Sequence, residues 1–151
     1  MELLAKDVMS GSVVTVCEQD TVLQCAQLLR DRDITGAPVL DVEQNLVGVI
    51  SIRDLMPERA EEDYGFYDPV DIKAEFREGG VARIVGGERP VKELMASHVV
   101  SCGPETPLED LAEIMHAHGI NRILVAEAGK VCGIVSTTDI LELIERGEIL
   151  P

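Results

Sequence analysis

The sequence has no tryptophan, and Tyr64, Phe66, Tyr67 and Phe76 are all its aromatic residues. A core must therefore be built from Val, Ile, Leu, Met and Ala, and few platforms exist on which single-stranded bases could stack. Positive charge is scarce as well: 13 Lys and Arg face 28 Asp and Glu, for a formal net charge of -15. Phosphate backbones and anionic lipid surfaces attract cations and repel carboxylates, so the composition argues against nucleic acid and membrane partners. No apolar run approaches the ~20 residues of a spanning helix. Residues Met1 to Asp7 lack the basic start and apolar middle of a signal peptide, so a soluble, cytoplasmic protein is expected. Cys17, Cys25, Cys102 and Cys132 show no C-x-x-C spacing and lie among apolar residues. They read as free, buried thiols in a reducing compartment rather than as a zinc site or a disulfide framework.

Catalytic machinery is missing too. No Ser-His-Asp order, phosphate-cradling glycine loop or cysteine with a nearby base stands out, so no catalytic residue is assigned and no enzyme is expected. His116 and His118 are two apart on a predicted helix, where side chains diverge, and His98 lies elsewhere. Solvated or helix-terminal histidines fit that spacing better than a metal site.

What is present is a repeat. Gly48-Val49-Ile50-Ser51-Ile52-Arg53-Asp54 returns as Gly133-Ile134-Val135-Ser136-Thr137-Thr138-Asp139. A shift of 86 lays Lys6 on Lys92, Met9 on Met95, Ala26 on Ala112, Ile34 on Ile120 and Val39 on Val125, and dropping one residue near Glu43 makes it the 85 that superimposes the two glycine-led stretches. Two copies are too few for a solenoid and predict a pseudo-symmetric pair. Halves of about fifty residues are marginal alone, so a shared core is expected. The divisions read from the sequence are 2–57 for the first repeat, 58–90 for an acidic linker and 91–147 for the second repeat.

Each repeat reads as a mixed α/β (α+β) unit of β-α-β-β-α order after a short opening helix. In the first, residues 2–9 make that helix and Val13 to Val16 a buried strand. Asp20-Thr21 caps a helix running to about Arg32, with Val22, Cys25, Ala26 and Leu29 on one face. Strands follow over Pro38 to Val42 and Leu46 to Ile50, with proline at the first strand's start and a hairpin at Glu43 to Asn45. A helix then starts at Ser51 and ends near Pro57. The second repeat predicts strand Val99 to Cys102, a helix with Thr106 as cap, Pro107 in the first turn and Glu109 completing a capping box, strands Ile123 to Ala126 and Val131 to Val135, and a final helix from Ser136 to about Glu145 closed by Gly147. Between them the acidic linker carries every aromatic residue, which suggests docking on the domain itself, and a helical turn is expected near Asp71 to Arg77.

This order, with Gly-apolar-apolar-Ser-x-x-Asp entering the last helix twice, resembles the cystathionine β-synthase (CBS) domain in tandem, as in stand-alone CBS domain-containing proteins. The resemblance implies repeats packed through their sheets, with clefts between them for an adenosine-containing regulatory ligand: AMP, ADP, ATP or S-adenosylmethionine. It places Asp54 and Asp139 on ribose hydroxyls and Ser51 and Ser136 near ribose or phosphate. It also brings Val14, Thr15, Val100 and Ser101 to the clefts, with Ile34, Thr35, Ala37, Ile120, Asn121 and Arg122 from the turns before the second strands. An ionised carboxylate at a helix start suits the helix dipole and can accept from two adjacent hydroxyls. Ser-x-x-Asp is equally a helix capping box, which needs no ligand.

Arg53, Arg122 and Lys130 are the obvious cations for a phosphate. So acidic a chain favours AMP, ADP or cationic S-adenosylmethionine over ATP, which would call for Mg²⁺. Arg53 corresponds to Thr138, and Gly36 to Arg122, so the two sites are expected to be inequivalent. The function implied is an energy-sensing or related regulatory module, a homodimer signalling to a regulated protein. The competing reading is a ligand-independent interaction module acting through its acidic linker.

Overall fold

A computed structural model describes residues 2–55 and 87–149. The expected helix end at Pro57, the turn near Asp71 and all the linker aromatics lie outside the described residues. In chain order the elements are α1 (Ala5–Val8), β1 (Val16–Cys17), α2 (Val22–Asp31), β2 (Gly36–Leu40), β3 (Leu46–Ser51) and α3 (Ile52–Leu55). A 3-10 turn (Val91–Glu93) follows, then β4 (Ser101–Cys102), α4 (Leu108–His118), β5 (Arg122–Glu127), β6 (Lys130–Ser136) and α5 (Thr137–Glu145). The three-stranded sheets run β1-β2-β3 and β4-β5-β6, each with a parallel first pair and an antiparallel second pair. The mixed α/β class and the pseudo-symmetry expected from the sequence are present in detail. Even the register irregularity recurs at matched positions, between Val39 and Leu40 and between Val125 and Ala126.

The compact units do not follow the repeats along the chain. One unit comprises Met1–Val13 with Val100–Pro151, the other Val14–Val99. Each repeat therefore sends its leading segment into the other repeat's unit, and the bonds that receive it match pairwise. In one unit the Val22 and Leu23 amides donate to the Arg89 and Gly87 carbonyls, and the Val91 and Lys92 amides to those of Asp20 and Glu18. In the other the Leu108 amide donates to the Leu3 carbonyl, and the Ala5 and Lys6 amides to those of Thr106 and Pro104. The incoming segment thus satisfies helix-start amides that have no intrahelical partner.

Among the described residues the buried apolar side chains form two clusters, one in each unit. Val16, Val22, Cys25, Ala26, Leu29, Val39, Ile50, Leu55 and Val91 build the first, and Ala5, Leu111, Met115, Ile123, Val125 and Val135 the second. Val91 and Ala5, fully buried, come from the exchanged segments. Each half is thus enlarged by a segment from the other repeat.

Several local expectations are revised. The strand expected from Val13 is only Val16–Cys17, and Val13 and Val14 are half-buried irregular chain. Thr21 caps α2 with its hydroxyl accepting from the Gln24 amide at 3.1 Å, and Gln24 accepts from the Thr21 amide at 2.9 Å. The matching box at α4 does not form: Pro107 is the cap residue, and the Thr106 hydroxyl accepts from the Gly103 amide instead. Glu109 is simply exposed. The repeat explains this, since Pro107 is the counterpart of Thr21.

Pro38 lies inside β2, opposite Val49, not at its start. Val49 turns its amide and carbonyl away from β2 toward Ala96, so this is a pair without ladder bonds. Proline's missing N–H would face the side where β1, which reaches only Val39 and Leu40, has not begun. The hairpins explain the one-residue gap. In the first, Asp41 Oδ1 accepts from the Glu43 and Asn45 amides, whereas the second is the tight turn Ala128-Gly129, both at positive φ. Gly147, at φ 77°, closes α5 as expected, with the Gly147 and Glu148 amides on the Ile144 and Leu143 carbonyls.

Candidate functional site

Because β1 and β2 run parallel and β3 returns antiparallel, three stretches meet at one end of the sheet: Val14-Thr15 ahead of β1, Thr35-Gly36 entering β2, and Ser51 leaving β3. The second unit repeats this with Val100-Ser101, Asn121-Arg122 and Ser136. The sequence-selected positions are thereby gathered within each unit, apart from Ala37. Its side chain packs in the core, leaving only its backbone for a ligand. Ile34 and Ile120 are half-buried and packed beside their cores, whereas Thr15, Ser101, Asn121 and Arg122 are exposed.

The Ser-Asp pairs are held alike in outline. Asp54 Oδ2 accepts from the Ser51 amide at 2.9 Å, and Asp139 Oδ2 accepts from the Ser136 amide at 2.8 Å. Behind each pair the turn is tied down, the Ile52 amide donating to the Thr35 carbonyl at 3.0 Å and the Thr137 amide to the Asn121 carbonyl at 2.8 Å. Thr137 Oγ1 adds a second bond to Asn121 at 3.2 Å, a link with no counterpart at Ile52. The carboxylates are half-buried, and among the described residues Oδ1 of each takes no hydrogen bond. One oxygen is fixed by the fold and the other remains an acceptor, an arrangement that can receive vicinal hydroxyls.

The serines differ. Ser136 Oγ accepts from the Asp139 amide at 3.1 Å, completing the capping box of α5. Ser51 Oγ instead donates to Asp54 Oδ2 at 3.2 Å. Ser136 thus keeps its own proton for another acceptor, while the Ser51 proton is spent on Asp54. The sites also differ across the strand: Arg122 lies opposite Ser136, but Gly36 lies opposite Ser51. A Cβ at Gly36 would come within 2.9 Å of the Ile50 carbonyl oxygen, so that position admits no side chain unless the strand shifts. Arg53 is half-buried and Thr138 exposed, each in the helix that follows its serine.

At Gly48 and Gly133, which open the repeated stretch, the space that a side chain would need is already filled. A Cβ on Gly48 would lie 2.7 Å from Met95 Sδ and 2.7 Å from the Ala96 carbonyl oxygen; on Gly133 it would lie 2.6 Å from Met9 Sδ and 2.7 Å from the Ser10 carbonyl oxygen. The exchanged segments occupy these notches, and two-bond bridges fasten them there. Val49 and Ala96 bond both ways at 2.9 Å, as do Ser10 and Ile134 at 2.9 and 3.0 Å. Sequence reasoning aligned Met9 with Met95 and Gly48 with Gly133 without seeing that each methionine meets the other repeat's glycine. The recurrence of both the methionine and the glycine in each repeat was the available signal.

Among the described residues no His, Cys, Asp and Glu group could hold a metal, and His98, His116 and His118 are exposed. Burial pushes the Cys25 thiol up from 9.0 to about 12, with smaller contributions from Asp20 and Asp54. The Cys102 thiol is also raised, mainly by burial, with Thr106 opposing. All four cysteines are free, Cys25 and Cys102 buried and Cys17 and Cys132 half-buried. No described helix is long and apolar enough to cross a membrane.

Two α/β units, each presenting a Ser-x-x-Asp helix start at one end of a three-stranded sheet, define a tandem-repeat module. The family is CBS: the model of the CBS domain matches residues 5–61 and 91–146, and the chain belongs to that family. It is similar to the CBS domain-containing protein YhcV of Bacillus subtilis, 28% identical over 136 residues, covering 89% of this chain and 81% of that one. Against inosine-5'-monophosphate dehydrogenase of Methanocaldococcus jannaschii the identity is also 28%, but the match spans only 23% of that enzyme. Among solved structures, CBSX2 in complex with AMP superimposes with a TM-score of 0.72 at 23% identity, covering 97% of this chain and 98% of that one. The CBS domain pair of protein MJ0100, in complex with 5'-methylthioadenosine and S-adenosyl-L-methionine, gives 0.69 at 20% identity over 97% and 99%.

Proposed function

We propose that this chain is a non-catalytic regulatory module that binds an adenosine-containing ligand at Ser51–Asp54, at Ser136–Asp139, or at both, and signals its occupancy to a partner protein. The observation that carries this reading is the duplicated carboxylate with Oδ2 pinned by a serine amide and Oδ1 open beside a tied-down turn. A ribose supplies the vicinal hydroxyls that such an oxygen pair accepts. The relatives solved with AMP and with S-adenosyl-L-methionine support the same ligand class. Of the two sites, Ser136–Asp139 suits the phosphorylated ligand, because Arg122 stands opposite a serine whose hydroxyl proton is uncommitted. Ser51–Asp54 suits a less anionic adenosine compound. With a net charge of -15, AMP or ADP is favoured over ATP without Mg²⁺. A homodimer in a reducing cytoplasm, with a second protein reading the ligand state, completes the proposal.

The test is calorimetric titration and thermal unfolding with AMP, ADP, ATP with and without Mg²⁺, and S-adenosylmethionine. Ligand at a hundred times its dissociation constant adds about 2.7 kcal/mol. Asp139→Ala is expected to abolish the AMP response, and Asp54→Ala that of any ligand held at the first site. If none of these compounds shifts the unfolding of wild-type protein, the Ser-Asp pairs are helix caps and the ligand reading fails.

A further inference from the structure

The bridge to the exchanged segment and the Ser-Asp bond occupy neighbouring places on one strand edge. Val49 and Ser51 lie two apart in β3, so their amides point to the same outer edge. Val49 donates to Ala96 and Ser51 to Asp54. On β6 the same edge carries Ile134 bonded to Ser10, then Ser136 bonded to Asp139. Two residues of strand span about 6.5 Å, so each carboxylate is held next to a backbone contributed by the opposite repeat. The glycine notch makes the contact compulsory in form: the carbonyl oxygen of Ala96 or Ser10 lies only 2.7 Å from where any other residue would place its Cβ. From these bridges the chain runs on through Val14-Thr15 into β1, and through Val100-Ser101 into β4. Those stretches enter the other unit's sheet at its Ser-Asp end.

We infer that Met9-Ser10 and Met95-Ala96 are positioning residues, each setting the strand edge that presents the opposite repeat's Ser-Asp pair, so that the two sites are wired crosswise. Ser10 governs Ser136–Asp139, and Ala96 governs Ser51–Asp54. The positioning rests on the geometry alone; its consequence for ligands rests on the function proposed above.

Proline at either bridge removes one bond while leaving the side chains of the site untouched. Met9 is already extended at ψ 154°, the conformation that a following proline requires. In the full chain without ligand, amide exchange followed by NMR should show the Ser136 amide of Ser10→Pro exchanging about tenfold faster, with the Ser51 amide unchanged. Ala96→Pro should show the reverse. A merely structural role would loosen both sites together. AMP titration of the same variants should show affinity lost only at the site whose serine amide has loosened. Gly133→Ala and Gly48→Ala, which crowd the same bridges from the strand side, give the same selective pattern should a proline variant fail to fold. Unchanged protection of the targeted serine amide, or equal loss at both serines, overturns the crosswise wiring. Selective loosening in a protein that binds no adenosine compound upholds the wiring and overturns the ligand reading instead.

Discussion

Replacing Gly133 by alanine puts a methyl group 2.6 Å from Met9 Sδ, 2.9 Å from Met9 Cγ and 2.7 Å from the Ser10 carbonyl oxygen. The thioether can rotate aside, but the carbonyl cannot, because it accepts from the Ile134 amide at 3.0 Å while the Ser10 amide donates back at 2.9 Å. Relief of the clash therefore lengthens or breaks the bridge. Two hydrogen bonds at about 1 kcal/mol each, with roughly 1 kcal/mol of overpacking strain, give a loss of about 3 kcal/mol. For a domain of this size each kcal/mol lowers the midpoint by about 2–4 °C, so Gly133→Ala should melt roughly 6–12 °C below wild type in a fluorimetric or calorimetric scan. Gly11→Ala is the internal control. Nothing lies within 4 Å of its added Cβ, and its effect should stay within about 0.5 kcal/mol of wild type. Equal midpoints for the two variants would refute the argument that glycine is required by the seated segment.

Thr21→Ala removes the α2 cap and should cost about 1 kcal/mol by denaturant unfolding, whereas Thr106→Ala deletes only a turn bond to Gly103 and should cost less. Cys25, with its thiol pushed up to about 12, should resist alkylation in the native protein at pH 8 and react fully once unfolded, as mass spectrometry would read. The same shift sets a pH dependence. The native state keeps a proton that the unfolded state releases above pH 9.0, so the Cys25 contribution to stability is intact below that pH and falls as pH rises toward 12. Alkaline unfolding of Cys25→Ser should lack that component.

The elements that run on one periodicity are legible in the sequence. Val22, Cys25, Ala26 and Leu29 form the buried face of α2 as their spacing requires, and the repeat carries most of this plan across to α4, β5 and β6. The α4 cap is where local grammar misleads. Thr106-Pro107 followed by Glu109 has the composition of a capping box, yet the register of the repeat makes Pro107 the cap, and the segment entering from Leu3 supplies the first bond. The chemistry at Asp54 and Asp139 is likewise legible in residue type and in its bond to the preceding serine. The role of Gly48 and Gly133 is not, because what fills their notches is brought from the other repeat by tertiary structure. No window of sequence contains both partners. The same holds for Val91 and Ala5, whose complete burial follows from exchange and not from amphipathic spacing in their own short helices.

The exchange also separates the unit that is copied in sequence from the unit that stands in space. A chain carrying one repeat alone would keep a sheet edge, a glycine notch and a pair of helix-start amides with nothing to fill them, together with a leading segment that has nowhere to go. Two such chains have complementary needs, and each could complete the other by the same reciprocal donation seen here within one chain. The tandem arrangement makes that donation intramolecular, so completing each unit does not depend on protein concentration.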